Sequence, residues 1–174
     1  MMNIFRFFLL TCFVLIGTLN SYAVDGYEKY RFGMTLDEAK KMYSCVWEKQ
    51  DIDFPGFMIR SNKRAALFKC SAYPYEQRKI ECYLEFIDNT LQRIILDISA
   101  EEKRNQQALK VLKKRYGFKN GSVQEKGRRK IYSFDDASVE VELYSAPLNL
   151  MYLRFYSKNY RQLIRQPYLK DLKT

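Results

Sequence analysis

The sequence contains no histidine among its 174 residues. The absence of histidine excludes the Ser-His-Asp and Cys-His nucleophile systems, histidine-ligated zinc sites and the usual pH switch. Glycine is also scarce, and its seven occurrences lack the G-x-G-x-x-G and Walker spacings that cradle phosphate groups. The acidic pairs Asp51/Asp53 and Asp135/Asp136 lie in polar loops, where aspartate normally forms turns. The residues therefore predict a protein that is not an enzyme and that holds no cofactor or metal.

Long hydrophobic runs are missing too, apart from a short one near the N-terminus. The run Phe7–Leu19 follows Arg6 and precedes Ser21-Tyr22-Ala23, which places small residues at both positions recognised for cleavage. This run is shorter than the roughly 20 residues that a membrane helix requires. The pattern predicts a signal peptide over residues 1–23, a mature chain beginning at Val24, and a periplasmic or secreted protein. A leader retained as an anchor is the alternative.

Residues 24–174 have the length and composition of one globular domain, with 47% hydrophobic and 16% aromatic residues in the whole chain. Thr35-Leu36-Asp37-Glu38 and Ser99-Ala100-Glu101-Glu102 each place a hydroxyl three residues before a glutamate, which is typical of a capped helix start. These helices are expected to end near Cys45 and before Gly117. Each is followed by three runs rich in β-branched and aromatic residues. The six predicted strands are Ala65–Tyr73, Lys79–Ile87, Leu91–Ile98, Arg129–Phe134, Ser138–Tyr144 and Leu150–Tyr156.

The expected fold is α+β, with two tandem helix-plus-three-strand units at residues 24–98 and 99–174. Together they form one antiparallel sheet with both helices on one face. A short helix is expected over Lys158–Gln166. Alternation along the strands predicts an apolar face towards the core. Its members are Ile80, Cys82, Leu84, Phe86, Ile94, Leu96, Ile98, Val139, Val141, Leu143, Met151, Leu153 and Phe155.

The opposite face is expected to be exposed and to mix tyrosines with charges of both signs. Tyrosine and arginine dominate binding hot spots, and neighbouring glutamates would keep such a face soluble. The sequence therefore predicts a non-enzymatic protein-binding module, either inhibitor-like or an envelope-assembly factor, whose partner is a protein in the cell envelope or outside the cell. The predicted binding residues are Tyr83, Tyr144, Tyr152, Arg154 and Tyr156, and the framing glutamates are Glu81, Glu85, Glu140 and Glu142.

Positive charge is concentrated in the second half of the chain. The 30 Lys and Arg residues exceed the 20 Asp and Glu residues, and the whole excess lies in residues 103–174. Lys113-Lys114-Arg115 and Arg128-Arg129-Lys130 are expected to form one continuous basic ridge. An ordinary solvated face is the simpler interpretation of these runs. The alternative function is binding of an anionic surface, either lipid or polyanion, whereas export disfavours nucleic acid.

Cys45, Cys70 and Cys82 remain after removal of the predicted leader. In an oxidising compartment these three cysteines allow three single pairings and leave one thiol over. A hairpin centred near Glu76 would place Cys70 directly opposite Cys82. The residues alone therefore leave the pairing open.

The run from Tyr30 to Lys41, Y-R-F-G-M-T-L-D-E-A-K-K, resembles the F-G-M-T helix entry of exported proteins such as the small outer-membrane assembly lipoproteins and the β-lactamase inhibitory proteins. The order of elements is similar to that of the inhibitors. This resemblance implies two helix-plus-sheet units in one antiparallel sheet, whose open face grips a protein partner. It also implies a disulfide between Cys45, just past the first helix, and Cys70 on the following strand, with Cys82 unpaired and facing the core.

Overall fold

The chain is described here by a computed structural model. The leader expected at residues 1–23 and the acidic pairs Asp51/Asp53 and Asp135/Asp136 lie outside its described part. The described residues are 24–50, 64–117, 122–134 and 137–164.

Ten strands and two helices follow one another along the described chain, and a further helical turn spans residues 160–164. The first part contains β1 (Gly26–Tyr27), β2 (Tyr30–Arg31), α1 (Leu36–Met42), β3 (Trp47–Gln50), β4 (Ala65–Tyr75), β5 (Arg78–Ile87) and β6 (Thr90–Asp97). The second part contains α2 (Glu102–Arg115), β7 (Ser122–Lys126), β8 (Arg129–Phe134), β9 (Val139–Tyr144) and β10 (Met151–Tyr156).

Eight of these strands form one antiparallel sheet in the order β3-β4-β5-β6-β10-β9-β8-β7. Each half is a meander of four strands, and the halves join where β10 pairs with β6, with Leu153 opposite Leu96. The expected antiparallel sheet is therefore confirmed. β6 and β10 are the last strands of the two meanders and pair with each other at the centre of the sheet. The central pairing therefore joins strands that are distant in sequence.

The expected three sheet strands per unit are wrong, because each unit contributes four strands to the eight-stranded sheet. The additional strands β3 and β7 are the two edges of the sheet. Both are polar: β7 is exposed along its whole length, and β3 is half-buried or exposed. Edge strands are commonly polar, since a polar edge resists pairing with other chains. Such strands lack the apolar alternation that identifies a strand in the sequence.

The predicted apolar face is confirmed by burial. Its residues on β5, β6, β9 and β10 belong to one large core cluster, and the central members Leu84, Leu96 and Leu153 are fully buried. Leu109 and Leu112 of α2 and Ala39 of α1 belong to the same cluster. Burying apolar side chains of this size stabilises the folded state by roughly 1.5–3 kcal/mol each.

The start of α1 has the predicted capping box. The Thr35 hydroxyl accepts a hydrogen bond from the Glu38 backbone N–H at 3.4 Å, and the Glu38 carboxylate accepts one from the Thr35 N–H at 2.8 Å. Just before it, Gly33 has a φ of +91°, and its N–H donates to the Leu91 carbonyl at 2.9 Å. This positive φ favours glycine in the F-G-M-T run, because other residues are strained there.

The start of α2 differs from the prediction that Ser99 caps it. The helix begins at Glu102 after Glu101, which makes no side-chain cap. The Ser99 hydroxyl instead accepts a hydrogen bond from the Met151 N–H at 2.8 Å, because Ser99 lies beside β10. Asn105 holds the approach to the helix by accepting from the Ala100 N–H at 3.0 Å. The Ser99 hydroxyl therefore bonds to the sheet and does not cap α2.

Cys45 and Cys70 form a disulfide with a Cα–Cα distance of 5.7 Å. Cys82 is a buried thiol in the core cluster, opposite Cys70 on the neighbouring strand. Burial raises the pKa of the Cys82 thiol well above its usual range, so this group is protonated at neutral pH. The pairing implied by the resemblance is therefore present, and the rival Cys70–Cys82 pairing is not.

Candidate functional site

The face of the eight-stranded sheet opposite the core cluster is called the second face here. The five predicted binding residues lie on it, because each follows the strand alternation of its neighbours. However, Tyr83, Arg154 and Tyr156 are only 4%, 6% and 8% exposed. The expectation that the predicted binding residues are exposed is therefore wrong for these two tyrosines and for Arg154.

Two small clusters account for the burial of the two tyrosines. Tyr83 packs with Leu67 and Ile95, and Tyr152 packs against this group. Tyr156 packs with Tyr160 of the turn at 160–164, with their ring centroids 5.0 Å apart. The second face is thus a second, smaller core that contains the hydroxyl groups of several tyrosines.

Glu142 carries a fully buried carboxylate near the middle of the second face. Arg154 from β10 and Arg129 from β8 both form ion pairs with it. The Tyr144 hydroxyl donates to the same carboxylate at 3.0 Å. Because two guanidinium groups and a hydroxyl meet one buried carboxylate, these side chains are held in fixed positions.

Glu85 is a second fully buried carboxylate on this face and pairs with Arg93 on the adjacent strand. The Tyr160 hydroxyl also donates to it at 3.1 Å, and the Arg93 guanidinium lies over the Tyr160 ring at 5.2 Å. Burial raises the pKa of Glu85, and the positive charge of Arg93 opposes this shift. The expectation that Glu85 and Glu142 are exposed framing glutamates is therefore wrong, because both carboxylates are fully buried against arginines.

One accessible part of the second face is a row at one end of the central strands, called the tyrosine strip here. Tyr144 and Tyr152 are both half-buried, and their rings meet edge to face with centroids 6.5 Å apart. Burial raises the pKa of Tyr152 to about 12, so its hydroxyl is a hydrogen-bond donor at neutral pH. The strip comprises Glu81, Asp97, Tyr152, Tyr144 and Arg129, which are neighbours through the register of the strands.

The expected continuous basic ridge is wrong, because successive residues of β8 point to opposite faces. Arg129 reaches the buried Glu142 on the second face. Lys130 points the other way and pairs with Glu125 at 2.9 Å, while Lys113 of α2 lies over the Tyr132 ring at 4.5 Å. The exposed members of the two runs are Lys114, Arg115 and Arg128.

Tyr156 gives the second face a measurable response to alkaline pH. Burial raises its pKa to about 12, and its hydroxyl donates to Glu140 at 2.8 Å. Because the folded-state pKa lies above that of the unfolded chain, its contribution to stability is complete below about pH 10 and is lost as pH rises towards about 12. The difference in unfolding free energy between the unmodified protein and Tyr156→Phe should shrink by about 1.3 kcal/mol from about pH 9 to about pH 11. Urea unfolding at both pH values measures it, and an unchanged difference would contradict the assignment.

In the part of the chain that the structure describes, no three Cys, Asp or Glu side chains cluster in a way that could hold a metal ion. No described helix combines the length and the hydrophobicity needed to cross a membrane.

Comparison with known proteins identifies one relationship. The model of a protein family described as "Uncharacterised protein" matches residues 27–163, which include both helices and all of the eight-stranded sheet. The chain therefore belongs to this family. A search of curated proteins finds no match.

Proposed function

We propose that this member of the family is an exported, non-enzymatic protein-binding module that contacts its partner through the tyrosine strip. The observation that carries the proposal is the Tyr144–Tyr152 pair, in which both half-buried rings meet edge to face and the Tyr144 hydroxyl is held by the buried Glu142. A pair held in this way loses little conformational freedom on binding.

The surroundings of the pair also suit an interface. Asp97 lies opposite Tyr152 on β6, and Arg129 lies opposite Tyr144 on β8. Aromatic residues at the centre with charged groups at the margin are the usual anatomy of a protein interface. The strip is smaller than the face expected from the sequence, because Tyr83, Arg154 and Tyr156 are buried. Tyr83 and Arg154 pack against Tyr152, whereas Tyr156 packs against Tyr160.

Export is supported by the leader pattern over residues 1–23 and by the Cys45–Cys70 disulfide, since such bonds persist in oxidising compartments. We accordingly propose a partner in the cell envelope or outside the cell. Both helices contribute to the core cluster, which supports an arrangement with both on one face and the tyrosine strip on the other. The same arrangement follows from the resemblance to the inhibitory proteins.

Binding of anionic lipid or polyanion through the basic second half is the alternative function. It has less support, because Arg129 and Lys130 are engaged in ion pairs and Lys113 covers a tyrosine ring. Such binding would weaken steeply with added salt, whereas a tyrosine-centred interface largely survives it.

The substitution Tyr152→Ala tests the proposed interface. We expect it to weaken partner binding by about 1–3 kcal/mol, the range for an interface anchor, and Tyr144→Ala to act in the same direction. The mature protein is immobilised and exposed to envelope proteins at moderate salt, and the retained proteins are quantified by mass spectrometry. The affinity of the retained partner is then measured by calorimetry.

Tyr132→Ala is the matched control, because Tyr132 is also half-buried but packs against the core cluster on the opposite face. It should leave partner retention unchanged. Equal retention by the unmodified protein and by Tyr152→Ala would refute the proposed interface.

A further inference from the structure

A groove of about 540 Å³ lies between α2 and the turn that joins β4 to β5. Its floor includes Ile98 and Leu112, which belong to the core cluster. Val111 also lines the groove, and 58% of its surface is exposed. The groove therefore combines an apolar floor with an apolar side chain that faces solvent.

Three arginines surround this floor. Arg78 comes from the start of β5, whereas Arg104 and Arg115 come from opposite ends of α2. None of the three pairs with a carboxylate among the described residues, and Glu76 is the one acidic side chain among the described residues of the lining. The groove thus presents an excess of positive charge that the described part of the chain does not neutralise.

Arg78 is held in place at the wall of the groove. Its guanidinium donates to the Ile98 carbonyl at 2.8 Å and to the Ser99 carbonyl at 3.1 Å, and it lies over the Tyr75 ring at 5.8 Å. These contacts fix the link between the β4–β5 turn and the entry to α2. The groove is therefore bounded by two elements with a defined separation.

The spacing of the other two arginines sets the length of a suitable ligand. Arg104 and Arg115 line the same groove, and eleven positions along α2 correspond to about 16 Å at 1.5 Å per residue. An extended peptide covers the same distance in about five residues at 3.3 Å each. Two separate acidic groups on one extended ligand therefore match the spacing of these two helix positions.

We propose that this groove binds an extended acidic peptide segment of a partner protein, with two carboxylates about five residues apart and apolar side chains between them. The carboxylates would pair with Arg104 and Arg115, and an apolar side chain would contact Val111. This site goes beyond the tyrosine strip, because its floor belongs to the core cluster and it uses none of the strip's residues.

The experiment uses a fluorescein-labelled peptide with aspartate and glutamate five positions apart, separated by valine, serine, leucine and glycine. Its affinity for the mature protein is measured by fluorescence anisotropy at low and moderate salt. We expect saturable binding that weakens at least about tenfold in the double variant Arg104→Glu/Arg115→Glu. Replacing both acids of the peptide by their amides should have a similar effect.

Lys110→Glu/Lys114→Glu is the matched control, because it makes the same change of charge on the same helix at exposed positions outside the groove. It should change the affinity by less than about threefold. Equal weakening by the two double variants would overturn the proposal, since it would show attraction to general positive charge. An absence of saturable peptide binding would also overturn it.

Vesicles containing phosphatidylglycerol separate a peptide site from a lipid site. Binding to these vesicles that is lost in Arg104→Glu/Arg115→Glu, without binding of the peptide, would overturn the peptide assignment. Tyr152→Ala should leave peptide affinity unchanged. A failure of the tyrosine strip is therefore distinguishable from a failure of the groove.

Discussion

Replacing Glu142 by glutamine is expected to reduce the free energy of unfolding by about 3–5 kcal/mol. Glu142 is fully buried and forms ion pairs with Arg154 and Arg129. Its neutral replacement keeps the size of the side chain but leaves the buried Arg154 without its negative partner. Domains of this size are usually stable by only about 5–15 kcal/mol, so the loss should be visible in urea and thermal unfolding.

Glu125→Gln provides the control, because Glu125 also pairs with a cation on a strand but its side chain is 58% exposed. That change should cost less than about 1 kcal/mol. The double variant Glu142→Leu/Arg154→Leu should recover much of the stability, since it removes both buried charges. A loss from Glu142→Gln no larger than that of the control would show that solvent already screens this pair.

Replacing Asn105 by leucine is expected to reduce the free energy of unfolding by about 3–4 kcal/mol. Asn105 is 1% exposed, and its amide group joins three backbone groups. It accepts from the Ala100 N–H and donates to the carbonyls of Ala100 and Asn149, each at 3.0 Å. Leucine would leave these buried groups without partners and loosen α2 from the loop before β10.

The neighbouring Gln106 is exposed on the same helix, so Gln106→Leu should change stability by less than about 0.5 kcal/mol. Both variants are compared by urea unfolding followed by circular dichroism. If Asn105→Leu were as stable as Gln106→Leu, ordered water or a backbone shift would have to satisfy the three groups.

Binding measurements depend on these stability measurements. Glu142 anchors the hydroxyl of Tyr144, so its replacement should disturb both the fold and the tyrosine strip. Tyr152 has no such role among the described hydrogen bonds, and its truncation is the cleaner test of recognition. Partner binding by the Tyr152 variant therefore has to be compared at equal fractions of folded protein.

Much of the fold could be predicted where the signal is local. The capping box at Thr35 and Glu38 is present as expected, because both partners lie within one helical turn. The apolar alternation on β5, β6, β9 and β10 is present too, because neighbouring side chains on a strand point to opposite faces. The edge strands β3 and β7 were missed, since polar edges carry no such alternation.

The candidate site could be predicted only in part. The sequence placed Tyr144 and Tyr152 on the second face, and the structure agrees. It gave no sign that Arg154 would be enclosed, because the carboxylate that pairs with it comes from another strand. The Glu85–Arg93 ion pair could have been predicted weakly, since the two residues lie on consecutive strands on either side of a tight turn.

By itself the sequence determined which residues form the central strands, which of their faces enters the core and where α1 begins. These properties depend on periodicity and on contacts within a few residues, so a short segment of the sequence is enough to predict them. Only the tertiary structure decided that the second face is mostly buried and that Asn105, not Ser99, hydrogen-bonds the segment before α2. It also decided that Arg129 lies on the opposite face from Lys130 and pairs with Glu142. Each of these depends on a partner far along the chain, such as Tyr160 for Glu85 or Asn149 for Asn105, and pairing at such distances is set only when the strands meet in register.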